Sequence, residues 1–472
     1  MSRLSGTKIR IKGLQVFLLP IQTRVPLKFG TETLTHVSCL RVRILVESDT
    51  GNLAEGWGET PLSVQWVWPS ATPYGQRLAV MERFVQFLAD ELSRWPSSGH
   101  AFELGVELLN EALPKWLSEF NATAAPQLPY LASLLVASAF DLALHDAQGN
   151  VMGCDTYATY SRELLPRPLS DFFGPGADGE KFSGQFLDDY LLARPPMEIP
   201  VWHLVGALDL LTHGDDSSLD PRDGYPFLLS DWIKTDGLQC LKIKLRGNDC
   251  EWDFNRIVQV ADVGLPLGVR YLSTDFNCTV RDPAYVAEIL DRLEQDHPQI
   301  WQALAYVEQP FPYELSELSL DVHSLATRKP LYLDESAHDW QHVRLGQELG
   351  WNGVALKTCK TQTGALLSLC WARAHGMGIM VQDLTNPMLA QIPHVRLAAH
   401  AGTNWGVESN AMQYYPAASD METPIHPGLY RRRHGQLQLG SLANESGAVV
   451  GFGYRNAVHC RTLPPPVFDS TR

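Results

Sequence analysis

The 472-residue chain is short of positive charge: 38 Lys and Arg stand against 53 Asp and Glu, a formal charge of −15. No Lys/Arg cluster marks a nucleic-acid face, so no nucleic-acid partner is expected. A small anionic substrate is still allowed, because one metal ion can reverse the sign of a site. Long apolar runs are lacking too. The longest, such as Leu131–Ala139, fall far below the roughly 20 residues that span a bilayer, and no membrane partner is expected. The basic start MSRLSGTKIRIKG has no apolar stretch of the kind an export signal needs. The eight cysteines show no CxxC and no even spacing, which fits reduced thiols and a cytoplasmic location. Ordinary hydrophobic (45%) and charged (19%) usage excludes a disordered chain, a collagen and a coiled coil.

What is present falls into two textures. Lys8–Leu19 and Ser38–Glu47 alternate polar and apolar residues, as half-buried antiparallel strands do. Between them, Arg24–Thr33 reads as a Pro- and Gly-containing loop, and a third strand is expected to end at Gly56-Trp57-Gly58-Glu59. From about Arg77 to Leu117 the apolar spacing is helical. Residues 1–125 therefore read as an α+β domain. Leu131–Ala147 reads as a buried helix stopped by Gly149-Asn150, and residues 160–198 as loop. From Ile199 short apolar runs recur, each followed by a helical stretch: IPVWHLV, CLKIKL, VRYLSTD, LAYVEQP, LYLDES, GVALKT, GIMVQD. This is βαβ texture, and seven or eight such units predict a closed (β/α)8 barrel over residues 126–424. The rhythm is lost near Pro424, and the tail, about 425–472, is expected to return over the N-terminal domain. The fold class is thus α/β, a TIM-like barrel with an N-terminal α+β capping domain.

The chemistry stands at the ends of the apolar runs. In order they carry Lys242 and Lys244, Asp275, Glu308, Asp334, Lys357, Asp383 and Glu408, spaced 31, 33, 26, 23, 26 and 25 residues apart from Lys244 onward. A barrel of roughly 250 residues over eight units gives about 31 per unit, which places these groups in one ring at the C-terminal mouth. Asp275, Glu308 and Asp334 on neighbouring strands form an all-oxygen triad without His or Cys, a set that suits Mg²⁺. Lys244 and Lys357 flank it from opposite sides. Near a dication their pKa values are expected to fall towards neutrality, which suits acid/base work. A single buried carboxylate is more often an ion-pair partner, and Lys242 and Lys244 alone could be one strand's polar face. Six charged strand ends in register argue against that reading, because a structural barrel interior is filled there by branched apolar residues.

Lys-x-Lys, then Asp275-x-Asn277, VEQP, DES and a lone lysine resemble the enolase superfamily. Within it the pattern is similar to the mandelate racemase / muconate lactonizing enzyme family, Lys-x-Lys subgroup. GWGE at 56–59 and FDLALHD at 140–146 belong to the same likeness, which runs from about residue 8 to about 410. The resemblance implies Asp275, Glu308 and Asp334 as ligands of one Mg²⁺. It implies Lys244 as base on one face, Lys357 as acid/base on the other, and Lys242 as support for the substrate carboxylate. It implies removal of a proton α to a carboxylate through an enediolate, in a racemase, epimerase or cycloisomerase, by a homo-oligomer acting on a small carboxylate. Acid-sugar or hydroxy-acid dehydration at the same site is the first alternative, and a catalytically silent binding barrel the second. The 24–33 loop resembles the family's capping loop, so Lys28 and Phe29 join His203, Asn277, Asp383 and Glu408 as candidate substrate contacts. The extra length at 60–75, 160–198, 209–224 and beyond 420 has no counterpart in a compact relative, and Glu408-Ser409-Asn410 is not the Asp-x-Asp of dipeptide epimerases.

Several features read as decoys. Gly174–Gly179 matches GxGxxG, but no apolar strand precedes it and no helix pattern follows it, so it reads as a surface loop. His338 and His342 read as a surface pair. Cys359 and at least two of Trp202, His203 and Trp351 read as packing, and Asp141 and Asp146 as ion pairs or packing.

Overall fold

A computed structural model describes residues 7–29, 32–214 and 218–471. Three strands open the chain: β1 (Ile9–Phe29), β2 (Glu32–Ser48) and β3 (Leu53–Pro61), antiparallel in that order. The loop expected at 24–33 is mostly a continuation of the β1–β2 hairpin. Its pairing slips between Gln22 and Leu27, so Pro26 sits at an irregularity where the ladder needs no N–H from it. GWGE lies inside β3 rather than at its end. The helical stretch expected at 77–117 divides into Tyr74–Ser93 and Ala101–Glu107, the second running through a π-turn (Leu108–Ala112) into Leu113–Asn121.

The helix Tyr130–Met152 passes Gly149 and Asn150 and stops at Gly153, whose left-handed backbone (φ 64°) caps it. By length and composition it could cross a bilayer, but 94% of its most apolar window is buried inside the protein. It lies directly on β3. A Cβ on Gly56 would fall 2.1 Å from the carbonyl oxygen of Ala143, and one on Gly58 2.0 Å from that of Ala139. Those two glycines of GWGE let helix and strand touch backbone to backbone.

The same helix ties three parts of the molecule together. Asp146 accepts the N–H groups of Trp57 (3.0 Å) and Phe452 (2.8 Å). Asp141 accepts the Thr363 N–H (3.0 Å) and hydroxyl (2.7 Å) on a barrel helix, Gln362–Ala374. Burial pushes Asp146 up to about 7 and Asp141 up to about 6, against the pull of these hydrogen bonds. A carboxyl raised in the folded state stabilises fully below its unfolded pKa, and that contribution is lost as pH rises through the folded value. Asp146→Asn is therefore expected to lose less stability than the wild type between about pH 4 and pH 7, as read by thermal melts across that range.

Eight parallel strands form the barrel: β4 (Glu198–Val205), β5 (Cys240–Lys244), β6 (Tyr271–Asp275), β7 (Leu304–Glu308), β8 (Leu331–Leu333), β9 (Gly353–Leu356), β10 (Gly378–Val381) and β11 (Val407–Glu408). β11 pairs with β4 and closes it. Below the rim the interior is plugged by Trp202, Cys240, Tyr306, Tyr332 and Met380, with the two tyrosine rings stacked at 4.5 Å. The tail gives β12 (Gln436–Gln438), antiparallel to β4, and β13 (Phe468–Asp469), antiparallel to β1 on the N-terminal sheet. One strand of the tail thus pairs with the barrel, and the other with the N-terminal sheet.

Two decoys differ from expectation. A five-residue helix, Ala177–Lys181, does open within the GxGxxG string, although no strand leads into it. His338 is buried rather than at the surface, its ring 4.6 Å from that of His342 and against Tyr130 and Tyr313.

Candidate active site

Register brings the charges together. Lys244 pairs with Asp275, and Asp275 with Glu308, across β5, β6 and β7. Asp334 and Lys357 follow the last residues of β8 and β9. All six expected groups, with Asp383 and Glu408, are buried at this rim.

Lys242 sits at the centre. Its Nζ lies 2.6 Å from Glu308 Oε1, 3.0 Å from Glu408 Oε2, 3.1 Å from Asp275 Oδ2 and 3.1 Å from Gln382 Oε1. Lys244 donates to Asp275 in a short bond and to Asn277 Oδ1 at 3.0 Å. Lys357 Nζ lies 3.1 Å from Asp334 Oδ2 and donates to the Asp383 carbonyl at 3.1 Å. Lys360, three residues on, also reaches Asp334: it donates to the carbonyl and lies 3.5 Å from Oδ1.

The protein's own charges set the protonation here. Burial alone would lower Lys242, but Glu308, Glu408 and Asp275 outweigh it and hold the ammonium well above the ordinary lysine value. Lys357 is likewise raised, burial being overcome by Asp334. For Lys357 the protein's own charges thus work against the fall expected of it beside a dication. Burial would raise Asp275 and Asp334, but Lys244 and Lys242 hold the first low, and Lys357 and Lys360 the second. Glu308 is pushed well up, by burial first and then by Asp275. Burial and then Glu408 push Asp383 up to about 6.

Among the described residues no three Asp, Glu, His or Cys side chains are grouped so as to hold a metal ion. The three carboxylates converge on the Lys242 ammonium and the flanking lysines instead. In kind, the donors fit a hard dication: they are all oxygen, on adjoining strands, and Asp334 Oδ1 is a buried acceptor without a hydrogen bond.

The remaining candidates divide. Asn277 lies at the rim in a left-handed conformation (φ 44°), which Asn tolerates. Its N–H donates to Asp275 Oδ1 at 2.9 Å, while its amide bridges Lys244 and Glu335. Asp383 is held by Asn410, through N–H at 2.9 Å and Nδ2 at 3.2 Å. Lys28 lines a neighbouring cavity. The side chain of Phe29 lies outside the described residues. His203 faces away from the mouth. Its ring packs on Trp232, Nδ1 lies 2.9 Å from Arg432 and Nε2 3.1 Å from Gln413. Strand period explains this: Leu204 pairs with inward-facing Lys242, so its neighbour His203 must point out.

Sequence reasoning missed Gln382, Lys360 and Trp66. Gln382 binds both Lys242 and Glu308. Trp66 comes from the short helix Val64–Val67 after β3, and its ring lies 5.0 Å from Lys357 Nζ and 5.5 Å from Lys360 Nζ. Its Nε1–H donates to Glu335 Oε1 at 3.1 Å. Leu27, Leu34, Ser63 and Trp66 thus close the mouth over a cavity of only about 40 Å³ lined by Lys242, Lys244, Asp334, Lys357, Asp383 and Glu408. The hairpin is fastened from the side: Arg24 pairs with Asp223 twice, at 2.6 and 2.8 Å, and reaches the carbonyls of Pro226 (3.3 Å) and Gln413 (3.4 Å). Asp223 and Pro226 belong to the long connection after β4.

No family model matches the chain, and no curated protein matches it. Solved structures do match along nearly its whole length. A muconate lactonizing enzyme from Pseudomonas fluorescens complexed with muconolactone shares 14% identity, covering 94% of this chain and 96% of that one, with a TM-score of 0.58. A dipeptide epimerase from Enterococcus faecalis complexed with Mg and L-Leu-L-Tyr shares 16%, covering 94% and 99%, at 0.60. A 2-chloromuconate cycloisomerase from Rhodococcus opacus shares 16%, covering 94% and 96%, at 0.59. At such identities the likeness establishes the fold, a (β/α)8 barrel with an N-terminal sheet domain.

Proposed function

We propose that the chain is an enzyme of the enolase superfamily, close to the muconate lactonizing kind. It removes and returns a proton α to the carboxylate of a small acid, as a racemase, epimerase or cycloisomerase. The observation that carries this reading is the buried ring of Lys244, Asp275, Glu308, Asp334 and Lys357 beneath Leu27, Leu34 and Trp66 of the N-terminal domain. The fold neighbours, which include cycloisomerases and epimerases, support it.

Asp275, Glu308 and Asp334 would hold one Mg²⁺, which when bound supplies Lewis-acid stabilisation for the negative charge that develops on the substrate carboxylate. Lys244 Nζ moves the proton on one face of the α-carbon, oriented by Asp275 and Asn277. Lys357 Nζ moves it on the other, oriented by Asp334 and the Asp383 carbonyl. Lys242, anchored by four acceptors, adds a fixed positive charge beside the carboxylate. Burial strengthens each of these interactions.

Calorimetric titration is expected to show one Mg²⁺ per chain, weakened by Asp275→Asn by at least about 100-fold, since even outer-shell changes cost up to that much. Unchanged binding in the variant would remove Asp275 from the ligand set. Acids incubated with enzyme and Mg²⁺ in D₂O are expected to take up deuterium at the α-carbon with the skeleton intact, whereas a 2-keto acid product would point to dehydration.

A further inference from the structure

Three hydrogen bonds join the N-terminal domain to one of the two acid/base lysines. Trp66 Nε1–H donates to Glu335 Oε1 at 3.1 Å. The Asn277 amide, through Nδ2, donates to the same oxygen at 3.0 Å. Lys244 Nζ donates to Asn277 Oδ1 at 3.0 Å. The four side chains come from four separate segments: the short helix after β3, the loops after β8 and β6, and the end of β5. Trp66, Glu335 and Lys244 are buried, where a lost partner is costly.

The chemistry of the groups gives this chain a direction. A carboxylate only accepts and an ammonium only donates. An amide between them has one orientation that satisfies both, with Nδ2 on Glu335 and Oδ1 on Lys244. Turned over, it would set its NH₂ against the ammonium and its oxygen against the carboxylate. Glu335 therefore fixes which end of the Asn277 amide meets the base. The Asn277 backbone is itself held, left-handed (φ 44°) with its N–H on Asp275 Oδ1 at 2.9 Å. Lys357 meets Trp66 differently, through the ring, whose centroid is 5.0 Å from Nζ. Asp334 and the Asp383 carbonyl orient Lys357.

We infer that Trp66 and Glu335 are positioning residues for Lys244: the indole N–H, acting through Glu335 and Asn277, sets where the base on that face stands. The inference rests on the proposed function for the role of Lys244. It makes the two faces of the site unequal. Proton transfer by Lys244 depends on the Trp66 N–H, and transfer by Lys357 does not.

The test uses the full chain and two variants. Trp66→Phe removes the N–H and keeps a ring beside Lys357; Glu335→Leu removes the acceptor. Deuterium uptake from D₂O is followed from each enantiomer of a responsive acid, with Lys244→Met marking the enantiomer that depends on Lys244. Each variant is expected to slow that enantiomer about 10- to 100-fold, from one lost hydrogen bond to a misplaced reacting group, and the other by less than about threefold. The double variant is expected to be no slower than the worse single one, because both cut the same chain. Glu335→Gln, which keeps one oxygen for both donors, is expected to recover most of the loss seen with Leu. Equal loss for both enantiomers, additive loss in the double variant, or no recovery with Gln overturns the inference. Crystal structures of the wild type and the two variants give a readout without turnover: Lys244 Nζ is expected to leave Asn277 Oδ1 in both. Lys244 unmoved in either variant overturns the inference whatever the rates. Lys244 displaced in both, with no acid exchanged by the wild type, upholds the positioning chain and brings down the proposed function.

Discussion

Lys244→Met is expected to slow α-proton exchange by about 10²–10⁴-fold, the usual worth of a positioned general base. The loss should be confined to one enantiomer. Lys244 and Lys357 hang from strands on opposite sides of the barrel and are held by different carboxylates, Asp275 and Asp334. On the proposed function each serves one face of the α-carbon, so Lys357→Met should produce the mirror-image defect. The measurement is deuterium uptake from D₂O by NMR, started separately from each enantiomer of a responsive acid. Equal loss for both enantiomers in either variant would sink the two-face assignment, and no loss at all would remove Lys244 as a base. Mg²⁺ affinity, followed in parallel, separates a missing base from a collapsed ring.

The second large effect concerns stability. Arg41 on β2 binds Glu59 of the GWGE motif in a short bond and lies 3.7 Å from Glu422, which Arg461 grips at 2.5 and 2.8 Å. Arg41, Glu59 and Glu422 are fully buried. Burial raises Glu59, with Arg41 pulling against it. Glu422→Ala takes the carboxylate from Arg461 and leaves buried Arg41 with Glu59 alone, and is expected to cost about 3 kcal/mol, the lower end for a broken buried pair. Replacing Arg41 and Glu59 together with Met and Leu should cost less than replacing Arg41 alone, because no charge is then left without its partner. Urea unfolding, read as the shift of the first transition, checks both. A double replacement costlier than the single one would mean that the network stabilises outright, beyond merely being expensive to break.

The rim was legible in the sequence because a (β/α)8 barrel writes one strand end per repeat, and seven of the eight ends carry a charge. Lys244, Asp275, Glu308, Asp334, Lys357, Asp383 and Glu408 could be aligned by spacing alone, and register then sets them side by side. His203 was misplaced for want of the rule already applied to Lys242 and Lys244: side chains two apart share a face, and Leu204 holds the inward one. Trp66 and the Arg41–Glu59–Glu422–Arg461 network were invisible, since both depend on segments brought together only by tertiary packing. The hairpin at 24–33 looked like a loop because Pro26 signals a break; the chain absorbs it in a pairing irregularity and continues as strand. The raised pKa of Lys357, without the dication's charge, has a plain cause. A spacing argument locates charges but does not say which of them a given ammonium will touch, and Lys357 meets Asp334 at 3.1 Å.

The fastening of the hairpin has a mechanical consequence. Arg24 grips Asp223 in an outgrowth of the barrel's first strand, well away from the triad-bearing strands β6 to β8. Under the proposed function a substrate reaches the ring only if the hairpin parts from the mouth, and the Arg24–Asp223 ion pair is the contact that would have to open. Lys244 and Lys357, held by Asp275 and Asp334 on strands of the barrel itself, would keep their positions as the hairpin opened.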